Sequence, residues 1–343
     1  MTDVRIPVGV ATGVGSWPGT DPREAAEIAI GELPALPHLV ELPARGIGAD
    51  IIGRAAALVV DMPFDASTTG YRLAQRIGTV TRTARDLLAR DVDALEEAWE
   101  LAGRRGTEQP IKVQTVGPLT LASQVELSGG HRVLTDRGAL RDLTESLAEG
   151  VAEHAAEAAR RLGSPIVVQL DEPALDAVLA GTLPGVSILQ APRALPEPEA
   201  LALLQSTIER IGAPVLVHCC AADVPWGMLR RSGAAMVGFD VSTLRTADLD
   251  GVGELLDGGV DLALGLVPAT APGHTPSWRE LAEPATRLLD RLGFARTLLS
   301  SRVVVTPSCG LAGASPEWAR SALRAAGEVT RAFADGADPS GMP

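Results

Sequence analysis

Short apolar, β-branched runs recur along the chain, separated by longer stretches in which Ala and Leu repeat at helical spacing among Arg and Glu. The runs predict strands over Val8–Gly15, Leu39–Leu42, Ile111–Val116, Ile166–Leu170, Val215–His218, Met236–Val241, Leu262–Val267 and Val303–Thr306. Several are apolar almost throughout, the pattern of parallel strands covered on both faces. Between them, helices are predicted over Pro22–Ile30, Thr81–Arg105, Gly138–Leu162, Glu197–Ile211, Pro225–Arg231, Leu249–Leu256, Trp278–Leu292 and Pro316–Ala334. Strict alternation of strand and helix predicts an α/β chain folded as a closed (β/α)8 TIM barrel, with Val59–Met62 as a candidate ninth strand. No fixed-period repeat interrupts the pattern. Gly181–Pro198 reads as a long Pro- and Ala-rich loop and the residues after Asp335 as a frayed tail, so a single domain is expected over residues 1–335.

Composition narrows the partners. With 46% hydrophobic and 21% charged residues the chain is of ordinary globular type. A formal net charge of −13 opposes binding to nucleic acid or to anionic lipid, and 3% aromatic residues leave few platforms for stacking bases. No apolar run approaches the length of a membrane span, and Met1–Val14 lacks the basic and apolar stretches of a secretory signal. A cytoplasmic setting is expected, in which the three cysteines are reduced thiols available for metal or catalysis.

In a parallel barrel the active site forms at the carboxyl ends of the strands. Polar residues cluster there: Gly15-Ser16, Asp171-Glu172-Pro173, His218-Cys219-Cys220, Asp240 and Cys309. An imidazole and two thiolates, His218, Cys220 and Cys309, form a favoured zinc set, and three protein ligands with one exchangeable position is the catalytic arrangement. Spacing alone equally admits three ordinary buried residues. Cys219, pointing the other way from its strand, suits packing. Two consecutive carboxylates at Asp171 and Glu172 call for a ligand or cation, or for a helix start before Pro173. Gly13–Ser16 lacks the further glycine and lysine of nucleotide loops, though its hydroxyl and N–H groups could hold a carboxylate. Asp240 could be a metal ligand or the cap of a short turn. His274, in the Ala269–Pro276 loop, is an acid/base candidate; His38, His131 and His154 show no partner.

Five segments together resemble the cobalamin-independent methionine synthase family, in particular its catalytic C-terminal barrel. They are Gly15-Ser16-Trp17-Pro18, Gly117-Pro118-Leu119-Thr120, Gln169–Leu175, His218-Cys219-Cys220 and Pro307–Leu311, in the family's order. The resemblance implies that His218, Cys220 and Cys309 bind zinc, with Asp240 standing where the family has a glutamate as fourth ligand. It implies that Ser16 and Asp171 hold the carboxylate and amino groups of homocysteine, with Glu41 a second amino-group ligand. The activity implied is zinc-dependent methyl transfer to a small thiol, giving methionine from homocysteine. Two departures bear on the methyl donor. Gln124 stands where the family has a pterin-stacking tryptophan, and Thr270 or Ala271 where it has a histidine proton donor. Besides folate, a methylcorrinoid carried on a partner protein is therefore an alternative. The competing functions are methyl transfer to another thiol such as coenzyme M, a metal-free uroporphyrinogen decarboxylase-like activity, and a zinc-holding partner without turnover.

Overall fold

The computed structural model describes residues 4–184 and 192–337. In chain order its elements are β1 (Val10–Ala11), α1 (Pro22–Glu32), α2 (Ile51–Leu58), β2 (Phe64–Ala66), β3 (Tyr71–Leu73), α3 (Thr79–Leu101), β4 (Ile111–Val116), α4 (Pro118–Gln124) and β5 (Val125–Glu126). There follow α5 (Arg137–Leu162), β6 (Ile166–Asp171), α6 (Leu175–Ala180), α7 (Glu197–Ile211), β7 (Val215–His218), α8 (Trp226–Arg231) and β8 (Met236–Asp240). The chain continues through α9 (Leu249–Asp257), β9 (Asp261–Val267), α10 (Trp278–Leu292), α11 (Leu298–Ser301), β10 (Val303–Pro307) and α12 (Pro316–Ala334).

Seven strands pair in parallel in the order β1-β10-β9-β8-β7-β6-β4. The predicted strand Leu39–Leu42 occupies the gap between β4 and the chain after β1, without forming a ladder. Single parallel bridges, His38 to Lys112 and Ser16 to Glu41, close the circle on its two sides. The result is the (β/α)8 barrel, with its eighth staves stitched by isolated hydrogen bonds such as Leu39 N to Lys112 O and Glu41 N to Gly15 O. Val59–Met62 is not a strand: Val59 is the C-cap of α2, and its amide bonds back to Ala55 O. Apolar character alone did not separate a helix end from a short strand. Not expected from the pattern were the helices α2, α4, α6 and α11 and the separate small sheet β2-β3-β5. The predicted Gly181–Pro198 loop lies partly outside the described residues, and α7 begins within it at Glu197. No helix among the described residues is long and apolar enough to cross a membrane.

Helix ends follow local chemistry. Asp21, Asp50, Asp136 and Ser315 accept first-turn amides of α1, α2, α5 and α12, and Ser277 with Glu280 forms a capping box on α10.

Alternation along the strands sets two cores. Val168, Leu170, Val217, Val237 and Leu262 face the helices, in one large cluster with the helix faces. Val167, Leu216, Met236, Ala263 and Val304 face inward, joined by Ile6 and Leu36, as the apolar floor of the barrel. Two residues further along, the same inward registers carry Gln169 on β6 and His218 on β7, and Asp171 follows on β6. The barrel interior therefore changes from apolar to polar toward the carboxyl ends of the strands.

Glu172 explains the Gly117–Thr120 segment. It is fully buried, and its carboxylate accepts from Leu119 N at 2.9 Å, Thr120 N at 2.7 Å and Thr120 Oγ1 at 2.6 Å. It thus caps α4 from the end of the neighbouring strand β6, where the helix offers free N–H groups and positive potential. A side chain at position 117 would put its Cβ 2.3 Å from Glu172 Oε1, so glycine is required by this approach. The capping acid beside Asp171 and the glycine after β4 are two halves of one lock that fixes the rim. Gly117→Ala is expected to cost about 2 kcal/mol of stability by overpacking, measured by urea unfolding. In a Glu172→Ala background the added cost should largely vanish, and additive costs would contradict the lock.

Candidate active site

A cavity of about 330 Å³ opens at the carboxyl ends of the strands. Val14, Gly15, Ser16, Glu41, Asp50, Asp171, His218, Cys220, Cys309 and Gly310 are among its lining residues. Six of the eight expected site residues, Ser16, Glu41, Asp171, His218, Cys220 and Cys309, line this cavity.

His218 ends β7 and is buried, Cys220 follows two residues later, and Cys309 comes two residues after β10. One donor atom from each lies within 4.8 Å of the others, so the three could hold a metal ion. The two sulfurs are 3.9 Å apart, well beyond a disulfide. Nε2 of His218 is buried without a hydrogen-bond partner among the described residues, as expected for a nitrogen meant for a ligand rather than for the fold. The thiols shift in opposite directions: Cys220 and then His218 draw the pKa of Cys309 down, while Cys309 pushes that of Cys220 up. A soft, close donor set with one readily formed thiolate suits a thiophilic cation. Cys219 points away into the outer core, where burial pushes its thiol up to about 12.

The acidic side of the cavity is formed by Asp171 and Glu41, both buried. Burial raises the pKa of each; His218 chiefly opposes this for Asp171, and Arg54 for Glu41. Gln169 Nε2 donates to Asp171 Oδ1 at 2.7 Å. Arg54 Nε lies 3.4 Å from Glu41 Oε1, and Nη1 of the same guanidinium is anchored by Asp91 Oδ2 at 2.6 Å; Oδ1 of Asp91 takes Arg45 at 2.7 Å. Asp50 lines the cavity too, but its carboxylate is used in capping α2 and accepting from Tyr71 Oη. No Lys or Arg among the described residues lines the cavity. Ser16 sits opposite on the bridged segment, close enough to Gly310 that a Cβ there would lie 2.1 Å from its Oγ.

Two expected residues are not brought to this cavity. Asp240 ends β8, where its carboxylate accepts from Ser242 N at 2.8 Å and Ser242 Oγ at 2.7 Å, and it lines a neighbouring cavity with Ser308. His274 is exposed, with Nε2 3.1 Å from Glu280 Oε1. Its loop therefore ends in the capping box of α10. Sequence reasoning missed Lys112, Gln114, Gln169 and Arg54 behind the acids. For Lys112, Gln114 and Gln169 the signal was present, as polar residues at alternate positions of the largely apolar strands β4 and β6; Arg54, on α2, had no such signal.

No curated protein matches the sequence. Among solved structures, a B12-independent methionine synthase from Shewanella sp. W3-18-1, in complex with selenomethionine, superposes with a TM-score of 0.64 at 13% identity. That match covers 96% of this chain and 98% of the other, and at such identity it bears on the fold. An organophosphorus hydrolase from Deinococcus radiodurans gives a TM-score of 0.34 at 17% identity over 69% of this chain and 73% of its own, too low to carry an argument. The sequence signature of the cobalamin-independent synthase catalytic domain matches residues 10–332. The chain belongs to the cobalamin-independent synthase family, as a copy of its catalytic domain.

Proposed function

We propose that this chain is a zinc-dependent S-methyltransferase that converts homocysteine to methionine, in the cytoplasm, where its thiols stay reduced. One observation carries this best: a His-Cys-Cys donor set and two buried carboxylates share a cavity with no cationic lining. The substrate that fits offers a sulfur at one end and an ammonium at the other. Coenzyme M, which has no ammonium, leaves Asp171 and Glu41 unused, and a decarboxylase acting on many carboxylates calls for cations that the cavity lacks. The selenomethionine held by the Shewanella enzyme is a selenium analogue of the proposed product and supports the same choice.

His218, Cys220 and Cys309 would hold the zinc. Bound there, zinc would favour the thiolate over the thiol, the form that acts as nucleophile. Asp240 is the proposed fourth ligand and would have to give up Ser242 to serve. Asp171 and Glu41 take the ammonium, and Ser16 takes the carboxylate, fixing the sulfur toward the donor set. Alignment of this kind removes much of the orientational barrier to an in-line transfer. The sulfur lone pair forms the new carbon–sulfur bond as the bond from methyl to its donor breaks, and the thiol proton is released.

For the donor, the family's description as cobalamin-independent favours methylfolate. The residues here favour a methylcorrinoid, delivered on a partner protein: Gln124 gives no stacking face, and His274 is engaged with Glu280 away from the cavity. A nitrogen leaving from folate needs a proton, whereas a corrinoid leaves without one. Assay of purified protein with homocysteine and each donor decides, and methionine from neither would overturn the function. Cys309→Ser is expected to lose most of its zinc by metal analysis, with the fold retained; full occupancy would refute that ligand. Asp171→Asn should raise the KM for homocysteine by about tenfold or more, the worth of a charge-assisted hydrogen bond. An unchanged KM would remove Asp171 from the amine site.

A further inference from the structure

Strand β4 carries a lysine inside the barrel. Lys112 is 0% exposed, and a buried ammonium is costly unless every proton finds a partner. Its Nζ donates to Gln169 Oε1 at 2.7 Å and to the carbonyl of Val14 at 3.0 Å, with Gln114 Oε1 at 3.5 Å. Gln169 in turn donates through Nε2 to the Val14 carbonyl at 2.8 Å and to Asp171 Oδ1 at 2.7 Å. Neither Lys112 nor Gln169 takes part in the transfer described above.

An ammonium has three donors and no acceptor, so whatever faces it must be an oxygen. That settles the two-fold choice open to an amide: Oε1 of Gln169 turns to Lys112 and Nε2 turns to Asp171. Asp171 thereby receives a donor at Oδ1 and keeps Oδ2, which carries no hydrogen bond among the described residues, for the cavity. Without the lysine, Oε1 of Gln169 is left buried and unpaired, and only the bonds to Asp171 and the Val14 carbonyl hold the amide. The side chain can then shift toward another donor and withdraw its own from Asp171. Two registers of the same strand, 169 and 171, are thus locked from β4 next door, where Gln114 is the ladder partner of Gln169.

We propose that Lys112 is a specificity-determining positioning residue, which through the amide of Gln169 aims Asp171 at the cavity and so selects thiols bearing an amino group. The inference rests on the amino-thiol function proposed above. It is tested by calorimetric titration of the wild type, Lys112→Met and Gln169→Glu with homocysteine and with γ-mercaptobutyrate, which lacks only the amino group. Zinc content is measured alongside.

In the wild type homocysteine should bind the more tightly. In Lys112→Met that preference should fall about tenfold, with γ-mercaptobutyrate affinity and zinc content nearly unchanged. Equal losses for both thiols, or no loss for homocysteine, would overturn the positioning role, because a merely structural lysine does not distinguish them. If Lys112→Met does not fold, Gln169→Glu carries the test: it keeps the shape and pairs with Lys112 but offers Asp171 no donor, and it must lose the same preference. A wild type that binds both thiols alike would overturn the amino-thiol function itself, separately from the relay.

Discussion

Parallel strands deliver their carboxyl ends to one rim, and side chains along each strand alternate between the inside and the outside of the barrel. Every functional group in this protein depends on those two constraints acting together. They place His218 beside Asp171 in adjacent registers, although the two residues belong to different parts of the chain. They also bring Cys309 to Cys220 from the far end of the sequence. Below this rim the interior is filled by Val167, Leu216, Met236, Ala263 and Val304, which gives the polar layer a rigid apolar floor. Of the donor set, His218 is on a strand and both sulfurs lie within two residues of a strand end, which limits their play.

The same geometry concentrates charge where water is scarce. Buried carboxylates are tolerated when each is matched by donors or counter-charge. Glu41 is backed by Arg54, which is tied through Asp91 to Arg45. Asp171 is backed by Gln169 and Lys112. Glu172 is satisfied by the start of α4. The three acids look alike in the sequence, yet they play different parts because different elements stand behind them. In the proposed function, a substrate ammonium would complete the set that Asp171 and Glu41 leave open at the cavity.

Much of this was legible in advance. Continuous apolar runs gave the strands of the barrel wall, and the helices Glu197–Ile211, Trp278–Leu292 and Pro316–Ala334 lie where periodicity set them. The convergence of His218, Cys220 and Cys309 followed once they were placed at strand ends. What escaped was context. Leu39–Leu42 makes bridges in place of a ladder, a matter of tertiary fit that no local pattern encodes. Glu172 had been weighed as a cap for its own helix; it caps α4 instead, which only the folded rim reveals. Asp240 and His274 sit near the site in sequence order, but Ser242 and the capping box of α10 engage them.

The central claim is that the imidazole and sulfur at the end of β7, with a second sulfur from beyond β10, hold a single zinc ion beside an acid-lined amine site. X-ray absorption at the zinc edge of the purified protein tests it most directly. The account predicts two sulfur neighbours together with the scattering of an imidazole; a metal surrounded by oxygen and nitrogen alone would contradict it.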